Sequence, residues 1–214
     1  MDGVQLQDLI RRGNGRAAVI AGDWCDAYRP RGVSKPLARI NRFIKLPAVF
    51  TRPGGRASLG YGEPVWAGVF DAAYTKPGDY LVRAGDNVTW FVAAQEKLLP
   101  VVCVRTNRVV GFARPGAPSA AGVNSYGGVS AATAVLLCAG WPASVLTSGT
   151  RGVDSAQLPA DGKPGAWTVL LPTIAGVVFA PGDLMTDDLG RTGVISTAEL
   201  SALGWRLLVR QTTT

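Results

Sequence analysis

The chain has 214 residues, a net charge of +7 and no histidine, with 47% apolar against 17% charged residues. That length suits one large or two small domains, and 27 glycines and 14 prolines in so apolar a chain exclude a disordered tail or a coiled coil. All the excess charge sits in residues 1–60, where eleven Lys and Arg face four Asp, and the remainder carries eleven of each sign.

Val4, Leu6, Leu9, Ile10, Ala17, Val19 and Ile20 recur at mostly helical spacing and predict a helix from Val4 to about Ile20, with a break or kink at Gly13-Asn14-Gly15. The segment from Asp23 through Pro30, with the Pro and Gly after it, reads as an irregular extended arm, so residues 1–45 form a basic helix and arm. The cations Arg11, Arg12, Arg16, Arg29, Arg31, Arg39 and Arg42 are the candidate partner-binding groups, because arginine suits bidentate contact with carboxylate or phosphate.

From Leu46 the pattern changes to short runs of Val, Phe, Trp, Tyr and Leu bounded by Gly, Pro, Asp and Asn, which marks β structure. Strands are expected near 46–51, 64–71, 79–84, 88–95, 98–106 and 108–113, forming a first small barrel over 46–114. Residues 115–131 are rich in Gly, Ala, Ser and Pro and read as a linker or loop. Strands resume near 133–138, 142–148, 166–172, 176–179, 184–187, 192–199 and 203–211, a second small barrel over 132–214. The fold class is therefore mainly β, two tandem small SH3/OB-like barrels behind a helix and arm.

Five blocks recur in the same order in the two β regions. Leu46-Pro47-Ala48-Val49-Phe50 matches Trp141 through Leu146, Trp66 through Phe70 matches Trp167 through Leu171, and Pro77-Gly78-Asp79-Tyr80-Leu81 matches Pro181-Gly182-Asp183-Leu184-Met185. Thr89 through Ala94 then matches Thr192 through Thr197, and Leu99 through Arg105 matches Gly204 through Arg210. Each Pro-Gly-Asp is a turn device: Pro fixes φ, Gly allows a positive φ and Asp bonds the backbone before the strand leaves. Gly78, Asp79, Gly182 and Asp183 are thus assigned structural roles.

The absence of histidine removes every Ser-His-Asp, Cys-His and His-ligated metal arrangement, and no Gly-rich phosphate loop ending in Lys-Ser/Thr occurs. Asp183, Asp187 and Asp188 are the one acidic cluster, read as turn residues. No catalytic residue, cofactor or metal is expected, and the chain is read as a non-enzyme. Cys25, Cys103 and Cys138 are odd in number and widely spaced, and are expected to be buried thiols. No apolar run reaches the roughly 18 to 20 residues that cross a bilayer, and the N-terminus lacks a signal-peptide pattern, so a soluble protein without membrane contact is expected.

The segment from Trp167 through Gly182-Asp183, Asp188-Leu189-Gly190-Arg191, Gly193 through Ser196 and Gly204 through Val209 resembles the small barrels of phage head-completion (stopper) and neck proteins. Asp26-Ala27-Tyr28-Arg29-Pro30, Tyr74 through Leu81 and Ala94 through Pro100 make most of the chain similar to structural proteins of tailed-phage gene clusters. The resemblance implies a ring or adaptor subunit joining portal, neck and tail components, homo-oligomeric in the virion and assembled in the bacterial cytoplasm. Stopper chains usually carry one such barrel, whereas this chain carries two. A tail-fibre attachment adaptor and a single-stranded nucleic-acid-binding barrel are the alternatives, and in the structural reading the basic arm leaves room for non-specific contact with passing DNA. Trp66, Trp90, Trp167 and Trp205 are expected in the core, away from the basic groups, and segments 51–64, 114–131 and 147–165 are the expected interface loops.

Overall fold

The computed structural model describes residues 2–52, 63–116, 134–147 and 165–212. Gly3–Ala21 form one helix, α1, without the expected break. A glycine inside a helix costs about 1 kcal/mol, yet Gly15 has a use here. A Cβ at that position would stand 3.1 Å from the Cβ of Asp71, so the missing side chain lets α1 lie close against the barrel beneath it.

Twelve strands follow in two closed antiparallel barrels. The first contains β1 (Asp23–Tyr28), β2 (Arg42–Thr51), β3 (Val65–Val69), β4 (Tyr80–Arg83), β5 (Thr89–Ala94) and β6 (Val101–Arg105), joined in the order β1-β2-β3-β6-β5-β4. The second contains β7 (Arg108–Arg114), β8 (Val135–Thr147), β9 (Ala166–Leu171), β10 (Leu184–Asp187), β11 (Thr192–Ser201) and β12 (Gly204–Gln211), joined as β7-β8-β9-β12-β11-β10. The two orders are identical once each strand is paired with the one six places later. Closure leaves neither sheet with an open edge.

Five expectations are corrected. Asp23–Tyr28 is no arm but the first strand of barrel 1, and Arg108–Arg114, expected to end barrel 1, opens barrel 2. The boundary between the barrels therefore falls at Thr106-Asn107, where Asn107 bonds Val145 with both its amide oxygen and its amide nitrogen. The two runs expected near 133–138 and 142–148 are, among the described residues, one strand, β8 (Val135–Thr147), passing through Gly140 at φ 73°, and 176–179 is not a strand. Of the five repeated blocks four are in register. The last is displaced by one: Trp66 pairs with Cys103 and its counterpart Trp167 pairs with Val209, so Cys103 corresponds to Val209. The inward side chains Val101 and Cys103 then fall on Leu207 and Val209, all buried.

The barrels pack on each other through unlike faces. Every residue of β5 after Thr89 is buried, because one face looks into barrel 1 and the other onto barrel 2, whereas its counterpart β11 alternates as a half-exposed strand does. Tyr80, Phe91, Ala93 and Val104 of barrel 1 thus join the core of barrel 2, beside Trp141 and Leu171. The Tyr80 hydroxyl donates to the carbonyl of Pro142 at 2.8 Å, and burial pushes its phenol well above the ordinary range. The connection from β1 to β2 straps the barrels together: Ala139 N donates to Val33 O at 3.1 Å, Lys35 N to Ala139 O at 3.0 Å, and the Trp141 indole to Val33 O at 2.8 Å.

Tyr80→Phe leaves the Pro142 carbonyl without that donor in a dry contact, and urea unfolding is expected to show a loss of about 1–2 kcal/mol at unchanged m.

Candidate interaction surface

The most constrained polar groups are two buried carboxylates in equivalent turns. Gly78 and Gly182 take φ 93° and 94°, the positive values that the Pro-Gly-Asp pattern requires. Asp79 and Asp183 follow them and are almost wholly buried. Arg29, one residue past β1, grips Asp79 with Nε at 2.9 Å and a terminal nitrogen at 2.8 Å, and the latter also reaches Tyr74 O at 3.1 Å. Arg114, at the end of β7, grips Asp183 at 2.7 and 2.8 Å and reaches Val178 O at 2.8 Å. Each carboxylate also accepts from the backbone three residues earlier, Lys76 N at 2.9 Å and Ala180 N at 2.8 Å. Both guanidinium groups are held above their ordinary pKa by hydrogen bonding to these carboxylates.

Arg29 was expected in the basic grip, and the structure turns it inward because an unpaired carboxylate in that turn would be costly. Arg114 was missed. Its signal was present in the sequence: Arg29-Pro30 and Arg114-Pro115 are the same dipeptide ahead of the two Pro-Gly-Asp turns, a sixth repeated block hidden by assigning β7 to the wrong barrel. Arg42 pairs with Asp26 at 2.7 Å and Arg11 with Asp8 at 3.7 Å. Arg12, Arg16, Arg31 and Arg39 are exposed, and among the described residues none of these four has an ion pair.

In the acidic cluster, Asp183 is held by Arg114, and Asp187 accepts from Arg191 N at 2.9 Å and Arg191 Nε at 2.7 Å. Burial raises the Asp187 pKa, but the bonds from Arg191 and from Leu189 N outweigh it and leave it lowered. Among the described residues no group of three His, Cys, Asp or Glu side chains converges on a metal position.

Two surfaces remain. Helix α1 docks on β2 and β3 through a mixed side: Ala18 is its one buried residue, Ile10, Asn14 and Gly15 are half-buried, and Gln7 Oε1 accepts from Leu98 N at 2.6 Å. Its apolar residues Leu6, Leu9, Val19 and Ile20 are exposed instead, Ile20 at 87%, and Arg12 and Arg16 lie beside them on the exposed surface. An amphipathic helix normally buries that stripe. The second surface is a groove of about 540 Å³ along the junction of the barrels, where Arg52, Arg105, Arg108 and Trp66 come together with Glu63, Asp86 and Asp188, three cations against three anions. Arg52 stands 5.3 Å from the Trp66 ring centre. Charge and an aromatic ring therefore do share one surface, contrary to expectation, while Trp90, Trp167 and Trp205 are in the core as expected. The loops expected as interfaces, 51–64, 114–131 and 147–165, lie largely outside the described residues.

No protein-family model, no curated protein and no solved structure matches the chain. What the geometry defines is a tandem of closed six-stranded barrels with one outward apolar, basic helix.

Asp79→Asn keeps an acceptor for Lys76 N but leaves Arg29 without its counter-charge, and chemical denaturation is expected to show a loss of about 1–3 kcal/mol. Burial pushes the Cys25 and Cys138 thiols up to about 12 and Cys103 higher still. All three are buried and unpaired. At pH 8 the folded protein should therefore resist iodoacetamide and the urea-unfolded chain should take up three equivalents, read by intact mass.

Proposed function

We propose that the protein is a structural subunit of a tailed-phage particle, a ring or adaptor element joining portal, neck and tail components, with α1 as its grip on a neighbouring protein. The observation that carries this reading is the exposed apolar surface of the helix. A 19-residue helix that buries one alanine and holds Leu6, Leu9, Val19 and Ile20 in water is a surface waiting for a partner, and its Arg12 and Arg16, without an ion pair among the described residues, favour one with acidic side chains beside an apolar patch. The body beneath supports a scaffolding role, since its buried carboxylates are spent on arginines of the same barrel. The resemblance to stopper barrels supplies the particle. The protein on this reading has no catalytic activity.

The groove holding Arg52, Arg105, Arg108 and Trp66 carries a second reading, a single-stranded nucleic-acid site of arginine side chains and one stacking ring, although its three acids cancel the formal charge. Binding of a fluorescent oligodeoxythymidine across a salt series separates the two. A steep loss of affinity with salt, removed by Arg105→Ala with Arg108→Ala, would support the second reading and count against a purely structural role.

The test of the first is the particle itself. Mass spectrometry of purified virions of the encoding phage should find the protein at a stoichiometric level, and its absence from mature particles overturns the proposal. Leu9→Glu with Ile20→Glu should abolish incorporation while leaving the melting temperature of the isolated protein within about 2 °C, because both side chains are already in water.

A further inference from the structure

The contact between the barrels is heterologous: barrel 1 offers β4–β6 and barrel 2 receives it on β8, β9 and the start of β12. Because the barrels are equivalent strand by strand, the chain carries a second copy of each half of this contact. The second offering face is on barrel 2, where Leu184, Val194, Leu208 and Arg210 stand in the places of Tyr80, Phe91, Val102 and Val104. The three apolar residues are half-buried and Arg210 is exposed. The second receiving face is on barrel 1, where Leu46, Pro47, Val69 and Leu99 stand in the places of Trp141, Pro142, Leu170 and Trp205.

That receiving face is where α1 lies. Gly15 rests against Asp71, the counterpart of Pro172, and Gln7 bonds the backbone of Leu98, the counterpart of Gly204. Helix α1 thus occupies on barrel 1 the position that barrel 1 occupies on barrel 2. It fills that position poorly, for a cleft of about 450 Å³ remains between its Val19 and the barrel's Ile44, Leu46 and Pro47. The counterpart of that cleft on barrel 2 is the seat of Tyr80, whose ring lies 6.0 Å from that of Trp141.

The charges of the two spare faces complement each other. Glu199 is paired with Arg206 at 2.8 Å, and it lines the crevice between the barrels together with Val104. On barrel 1 the counterpart of Glu199 is Glu96 and that of Arg206 is Pro100, so Glu96 has no ion pair among the described residues. On barrel 2 the counterpart of Val104 is Arg210, which also lacks one among the described residues. Repeating the internal contact between two copies brings Arg210 of one toward Glu96 of the next.

We propose that the β10–β12 face of one copy docks on the α1-covered face of barrel 1 of a second copy, so that lifting α1 releases head-to-tail self-assembly. A heterologous contact of this kind closes into a ring where the rotation per subunit permits and otherwise runs on as a filament. The inference stands on the repeat and not on the particle assignment, and it concerns the protein in solution.

Sedimentation velocity on the full chain tests it. Ala18→Glu and Gly15→Val each unseat α1 by a charge or a side chain where none fits, and thermal unfolding checks that the barrels remain folded. The wild-type chain is expected to sediment as a monomer and both variants as concentration-dependent oligomers. In that background Glu96→Arg or Arg210→Glu alone should weaken association about tenfold, and mixing the two single variants should restore it, because each then meets an opposite charge. Folded Ala18→Glu and Gly15→Val chains that stay monomeric would overturn the proposal, as would assembly indifferent to both charge reversals. Equal assembly by the wild-type chain would overturn the role of α1 as a cap. Absence of the protein from virions, by contrast, bears on the proposed function alone.

Discussion

A carboxylate that has lost its water must be neutralised where it stands, and this chain meets that constraint twice in the same way. Asp79 and Asp183 are each gripped by two nitrogens of one arginine and one backbone N–H. Each pair joins the end of a barrel's first strand to the turn before its fourth, which is the seam where the sheet closes on itself. Arginine suits the task because its planar fork meets both carboxylate oxygens and stays charged at every relevant pH. The two forks lie at equivalent seams, β1 with β4 and β7 with β10, and so mark the equivalence of the two halves and the start of each barrel.

The halves differ where they have different neighbours. Barrel 1 carries Tyr80, Phe91 and Val104 on its outer face and loses that face against barrel 2. Barrel 2 carries Leu184, Val194 and Arg210 at the same places, a smaller and more polar set suited to partial exposure. Helix α1 adds a third variation on the same surface geometry. It lies over the receiving face of barrel 1 with Ala18 as its one buried residue, a cleft left beside Val19, and Leu6, Leu9 and Ile20 exposed, which is the arrangement of a cover held weakly. Where basic residues went follows the same economy: those near a buried or half-buried acid, Arg29, Arg42 and Arg114, serve the fold, and those on the outer surface of α1 and along the strap remain available.

How much of this was legible in the sequence can be judged from particular residues. The β character after Leu46, the five repeated blocks and the positive φ of Gly78 and Gly182 were all readable, because alternation, turn chemistry and repetition are local properties. The run Trp90-Phe91-Val92-Ala93-Ala94 carries the continuous apolar pattern of a strand buried on both faces, but that burial is established only by the packing of the barrels. The basic grip was only half legible. Counting arginines located the charge, but which arginine faces a buried aspartate depends on a contact across 50 residues for Arg29 and 69 for Arg114.

What the sequence by itself determined is the fold class and the internal repetition, since periodicity and turn residues belong to the chain in any conformation. Only the tertiary structure decided ownership. A strand's own residues say that it is a strand but not which sheet it completes, so β1 looked like an arm and β7 like the end of the wrong barrel. The same holds for α1. Its apolar spacing predicted a helix, yet which side meets the barrel was decided by Gly15, Gln7 and Ala18 finding Asp71, Leu98 and β2, contacts that exist only once the sheet has closed.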